Sequence, residues 1–161
     1  MRKAIATGVL GLVLFSNGAA AQTAVERGQI LRDFERSLVE YTQQHTSLAG
    51  FPGAVAAASP APKIFTPPVA MVFRQTIARA LAKPSVGSAI SGHSAAHRAA
   101  VMQPFPANAL TDFPKVLGDA LPALPAPLEY RLIDNDLVIR DTTADLIIAV
   151  LHPALGAVPA R

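Results

Sequence analysis

His93-Ser94-Ala95-Ala96-His97 sets two imidazoles four residues apart. On a helix that spacing puts both on one face, within reach of a single metal ion, so the chemistry on offer is that of a small metal-dependent or hydrolytic enzyme. No Glu follows His93 to serve as the general base of a His-Glu-x-x-His protease, and the other two histidines, His45 and His152, lie in distant segments. A catalytic zinc needs a third protein ligand. Gly92 also weakens the helix that would carry the pair, so the ordinary reading of His93 and His97 is a solvated helix face. Asp134-Asn135-Asp136 resembles the start of a calcium loop, in which oxygen ligands alternate. Its sixth position is Ile139 and its twelfth is Asp145, where such a loop needs Gly and a bidentate Glu, and turn chemistry accounts for the triplet without a cation. The chain contains no Gly-x-Ser-x-Gly elbow, no Gly-x-Gly-x-x-Gly run and no Walker loop. No catalytic residue is assigned, and no cofactor is implied.

The elements that must position any such groups begin after residue 21. Arg2 and Lys3, an apolar run from Ala4 to Phe15, the break at Asn17-Gly18 and the small residues Ala19-Ala20-Ala21 read as a secretory signal peptide over residues 1–21, cut after Ala21. The run is shorter than the roughly 20 apolar residues a membrane span needs. Cysteine is absent, which removes a lipid-anchored N-terminus, disulfides and thiol chemistry. The expected product is exported, periplasmic or secreted, with neither a transmembrane segment nor a lipid anchor after cleavage. Of 14 basic residues two lie in the signal, leaving 12 against 11 acidic ones, a net charge of +1. Those 12 are scattered rather than clustered, so nucleic acid is not the expected partner.

Residues 22–161 read as a single small domain. Ile30, Phe34, Leu38 and Tyr41 recur at helical spacing and predict an N-terminal helix over residues 24–45 with one narrow apolar stripe. Residues 48–63, rich in Ala, Gly and Pro, read as a linker. The middle, 67–121, reads as helical. Thr66 is placed to cap a helix, Pro67 fits its first turn and Lys83-Pro84 closes it, with Val69, Phe73, Ile77, Ala80 and Leu81 on the apolar face. A weaker helix is expected over Ala89–Met102, and a short one near Pro114–Leu121 among Pro-rich connectors. Beyond these comes the clearest tertiary pattern. Taking Asp134-Asn135 as a two-residue hairpin loop sets Leu132 opposite Leu137, Tyr130 opposite Ile139 and Glu129 opposite Arg140. One face is then apolar, and the other carries an ion pair. Asp141-Thr142-Thr143 offers N-cap chemistry for a final helix from Thr143 to Leu151, its Leu146, Ile147, Val150 and Leu151 folding back on the hairpin. The hairpin and helix together span 128–151.

The run from Lys63 to Arg74 and the run from Leu128 to Asp141 resemble a family of small exported bacterial proteins of unassigned function. The resemblance extends from the first helix to about Leu151. In that family the hairpin turn often has Gly where this chain has Asp134, a conservative exchange for a tight turn. The resemblance implies a bacterial, periplasmic, single-domain protein and carries over no functional residue.

The expected architecture is mostly α, loosely α+β: several helices joined by Pro-rich connectors, with one C-terminal β-hairpin followed by a short helix. The function it favours is a non-enzymatic envelope protein acting as a binding or accessory module. Its candidate interaction surface is Glu129, Arg131 and Arg140, and its expected partner is another envelope protein. The enzyme built on His93 and His97 is one alternative. A self-associating structural or chaperone-like periplasmic protein, using the stripe of the first helix, is the other.

Overall fold

In a computed structural model of the chain, residues 17–46, 63–82, 99–106 and 112–155 are described. They form α1 (Asn17–Thr46), α2 (Pro67–Leu81), α3 (Lys115–Ala120), β1 (Leu128–Ile133), β2 (Asp136–Asp141) and β3 (Leu146–Leu151). The strands make one antiparallel sheet in the order β1-β2-β3. The architecture is therefore α+β, not mostly α, because the segment expected to end the chain as a helix is a third strand.

The reason lies in a bulge. Pairing between β2 and β3 shifts between Ile139 and Arg140, so that Ile139 faces Ala149 while Arg140 faces Ile147. Ile148 is the extra residue. Strict alternation would put Ile147 and Val150 on opposite faces of a strand, but the bulge brings both to the outer face and leaves Ile148 and Ala149 together on the inner one. The outer residues then recur at spacings that look helical. Asp141 does supply cap-like bonds, Oδ1 accepting from the amides of Thr143 (2.8 Å) and Ala144 (3.0 Å). They close the turn into β3 rather than open a helix.

The hairpin has the register that its alternation dictates, with Leu132 opposite Leu137, Tyr130 opposite Ile139 and Glu129 opposite Arg140. Asp134 takes the left-handed conformation the tight loop needs, at φ 52°. The carbonyl of Asn135 accepts from Ala154 N (2.8 Å) and Leu155 N (3.0 Å), tying the loop to the chain that leaves β3.

The inner face of the sheet meets the helices. Phe34, Leu38 and Tyr41 of α1 are buried, Leu38 at 0% exposure, beside Val69, Phe73 and Ile77 of α2 and Leu132, Leu137 and Ile139 of the hairpin. Each such side chain contributes about 1.5–3 kcal/mol by leaving water. Phe73 links the layers, its ring centroid 4.9 Å from that of Phe34 and 6.3 Å from that of Tyr130. Thr66 stands at the N-cap of α2 with extended geometry, as expected, although its side chain makes no capping bond there. The α1 stripe, a candidate surface for self-association, is thus covered within the chain.

The outer face carries a smaller apolar cluster, in which Phe105 and Ala99 pack on Ile133, Val138 and Ile147. Here a second expectation is corrected. Residues 99–102, the end of the expected Ala89–Met102 helix, are not helical, and Met102 has φ 64°. Its amide donates to Ile147 O (2.7 Å), and Ile147 N donates in turn to Gln103 O (2.9 Å). The 102–105 segment thereby covers the edge of β3, because β3's outward amides and carbonyls need partners and the residues before Pro104 supply them. The rest of the expected helix and nearly all of the linker lie outside the described residues.

Candidate functional site

Glu129, Arg131 and Arg140 share the outer face because residues two apart on β1 point the same way and register sets Arg140 beside Glu129. The structure brings all three together. Arg131 forks onto Glu129, Nε to Oε1 at 2.8 Å and Nη2 to Oε2 at 2.7 Å. Arg140 Nη1 donates to the same Oε1 at 3.0 Å, and its Nε and Nη2 donate to Asp145 Oδ1 at 3.1 and 2.6 Å. Above it lies the Phe105 ring, 4.7 Å from the guanidinium carbon to the ring centroid, a cation–π contact. Side-chain exposures of 27% for Glu129, 22% for Arg131 and 16% for Arg140 leave the cluster only partly open to water.

The electrostatics follow from that geometry. Hydrogen bonding by Arg131 leads in holding the Glu129 carboxyl below the usual range, with the Arg131 charge and Arg140 adding to it against the opposing effect of burial. Burial works against the charge on Arg140, but the bonds to Asp145 and Glu129 outweigh it and raise its pKa. Two cations and two carboxylates make a neutral, rigid patch. Such a patch presents a fixed alternation of sign to a partner, and it holds no nucleophile.

Two features of this surface were not evident in the sequence, and a third, an exposed strand edge able to pair with another chain, was an expectation from the hairpin pattern. Asp145 enters through the turn after β2, where it sits at φ 54°. Phe105 comes from a segment read as connector. The third is the edge of β1, which among the described residues is paired with β2 on one side only. Because Ile133 and Asp136 close a two-residue loop, they exchange ladder bonds. The backbone groups of Leu132 and Tyr130 therefore point away from β2, toward the edge.

On the inner face a buried polar junction joins α1 to the sheet. Tyr41 Oη donates to Asp141 Oδ2 at 3.0 Å, and Asp141 is only 4% exposed. Burial first, then the charge and the hydrogen bond of Asp141, push the Tyr41 phenol well above its ordinary pKa. His45 stacks on Tyr41 with ring centroids 4.1 Å apart, and its Nδ1 is 2.7 Å from Tyr41 O. A carbonyl only accepts, so Nδ1 carries the hydrogen. Among the described residues His45 Nε2 is buried without a hydrogen-bond partner.

His93 and His97 lie outside the described residues. Among the described residues no three His, Cys, Asp or Glu side chains converge as metal ligands. The Asp134-Asn135-Asp136 triplet forms the hairpin turn, and Asp136 Oδ2 lies 2.6 Å from His152 Nδ1. Among the described residues no helix is long and apolar enough to cross a membrane. No protein-family model, characterised protein or solved structure matches the chain.

Proposed function

We propose that this chain is an exported, non-enzymatic envelope protein that acts as a binding or accessory module and docks another envelope protein along β1. The observation that carries the reading is the outer edge of β1, paired on one side only among the described residues and flanked by the fixed charges of Glu129, Arg131 and Arg140. An unpaired strand recruits an extended partner segment through its free amides and carbonyls, and side-chain charges set which segment fits. Glu129 and Arg131, two residues apart on β1, suit a segment with a basic and an acidic residue at the same spacing. Export is supported by the tripartite pattern of residues 1–21 and by the resemblance of the Lys63–Arg74 and Leu128–Asp141 runs to small exported bacterial proteins.

A photo-cross-linking side chain placed at position 131 in cells tests this reading against the same group at Arg32, an exposed α1 position. We expect a discrete adduct from position 131 alone. Binding of the purified adduct partner should then weaken about tenfold or more on Arg131→Glu, the scale of a reversed charge contact. Equal adducts from both positions, or a partner indifferent to Arg131→Glu, defeat the docking assignment.

A further inference from the structure

A second, chemically different feature lies between the helices. Arg27 of α1 is half-buried, and its Nη2 donates to Thr76 Oγ1 of α2 at 2.7 Å. The Thr76 hydroxyl passes its own hydrogen to Val72 O at 2.9 Å, so it can only accept from Arg27. One of the five donors of a guanidinium is thereby fixed, and the orientation of the fork is set. Among the described residues Arg27 has no carboxylate partner.

Arg27 shares that with Arg32, Lys63, Arg74 and Arg79 among the described residues, whereas other cations are paired. Arg36 pairs with Asp33, Lys115 with Asp119, Arg131 with Glu129, and Arg140 with both Glu129 and Asp145. Arg79, exposed on α2, is likewise without an ion pair among the described residues, and it lines the same hollows as Arg27. One, of about 340 Å³, lies between α1 and α2, with Ile30 and Met71 as apolar wall. The other, of about 360 Å³, continues toward α3 with Ala80 and Val116 as wall. Each is lined by two guanidiniums and one carboxylate, Glu26 in the first and Asp119 in the second. Both oxygens of Asp119 are already engaged by Lys115 Nζ at 2.8 Å. The sizes fall at the lower end of the ~300–1,000 Å³ typical of small-molecule sites.

The geometry points to a binding site for a small organic carboxylate, its head group forked by Arg27 beside Arg79 and its apolar body lying along the α1–α2–α3 cleft. An excess of one positive charge in each lining set suits a monoanion, and a planar guanidinium suits the two coplanar oxygens of a carboxylate. Met71, 53% exposed, is an apolar side chain left in water that such a ligand would cover. This inference does not depend on export or on docking at β1.

Hexanoate is the probe, titrated into the full chain while the arginine Nε–H resonances are followed by NMR, with acetate, hexanol and inorganic phosphate as separate arms. Hexanoate should shift Arg27 and Arg79 saturably in the millimolar range, and acetate and hexanol should each bind at least about tenfold more weakly, since each lacks one half of the recognition. Arg27→Lys keeps the charge but loses the fork, and should weaken hexanoate about tenfold. Arg79→Gln, an exposed change that leaves the core alone, should weaken it by a similar factor. Absence of a saturable shift, phosphate binding tighter than hexanoate, or unchanged affinity in both variants overturns the assignment.

Discussion

Glu129 receives two arginines, and its ionisation is therefore coupled to the fold. Its carboxyl is held below its ordinary pKa in the folded chain, so the unfolded chain binds the proton more readily as the solution is acidified. The stability it contributes is fully present above the unfolded value, near 4.5, and is lost as pH falls through the lower folded value. Thermal melting between pH 7 and pH 3 should show this loss. Glu129→Gln should melt lower at pH 7 and decline less steeply toward pH 3, and a parallel decline would show that the arginines do not tune this carboxyl. At the same scale, Asp141 illustrates what parity makes legible. It shares a face with Leu137 and Ile139, so alternation alone puts a carboxylate on the buried side, where it needs donors. The α1 stripe carries one hydroxyl, Tyr41, and that is the donor found. Nothing comparable announces the Arg27 pairing with Thr76, which are 49 residues apart and meet only because α1 and α2 pack side by side.

Among the elements, α1, α2 and the hairpin were legible because each carries its own period and its own punctuation. The spacing of Phe34, Leu38 and Tyr41, the Thr66-Pro67 start and the Asp134-Asn135 loop are local signals that packing did not override. β3 was not legible in that way. Its run Leu146-Ile147-Ile148-Ala149-Val150-Leu151 is apolar throughout, a pattern that periodicity cannot assign to helix or strand, and the bulge removed the alternation that would have decided it. Its six-residue length and β-branched content favour a strand. The bulge also makes a graded prediction. Ile148 is wholly buried on the inner face, whereas Val150 is only partly buried on the outer one. In urea unfolding, Ile148→Ala should cost about 2–5 kcal/mol, while Val150→Ala should cost clearly less. Equal losses would mean that the two residues do not occupy different layers.

At the level of the whole molecule, helices and sheet share one inner core. Phe34 and Leu38 of α1, Phe73 of α2, Leu117 of α3 and Ile148 of β3 belong to the same buried cluster. The chain has two tyrosines and no tryptophan, and both tyrosines lie where helices meet the sheet. Tyr41 reports α1 against β2. Tyr130, whose hydroxyl donates to Pro122 O at 3.0 Å, reports β1 against the segment after α3. Near-ultraviolet tyrosine signals and far-ultraviolet helix signals should therefore vanish in a single coincident transition in urea. Separate midpoints would indicate that α1 and α2 melt independently of the sheet.

α1 runs without a break from Asn17 through Ala19-Ala20-Ala21 into the stripe that packs on the sheet. The peptide bond between Ala21 and Gln22, where the leader is expected to be removed, is therefore an intrahelical one. Cutting inside a helix requires that the turn first open locally. If a leader is removed there, only the turn that holds this bond must open, and Thr23 to Glu26 just beyond it are exposed.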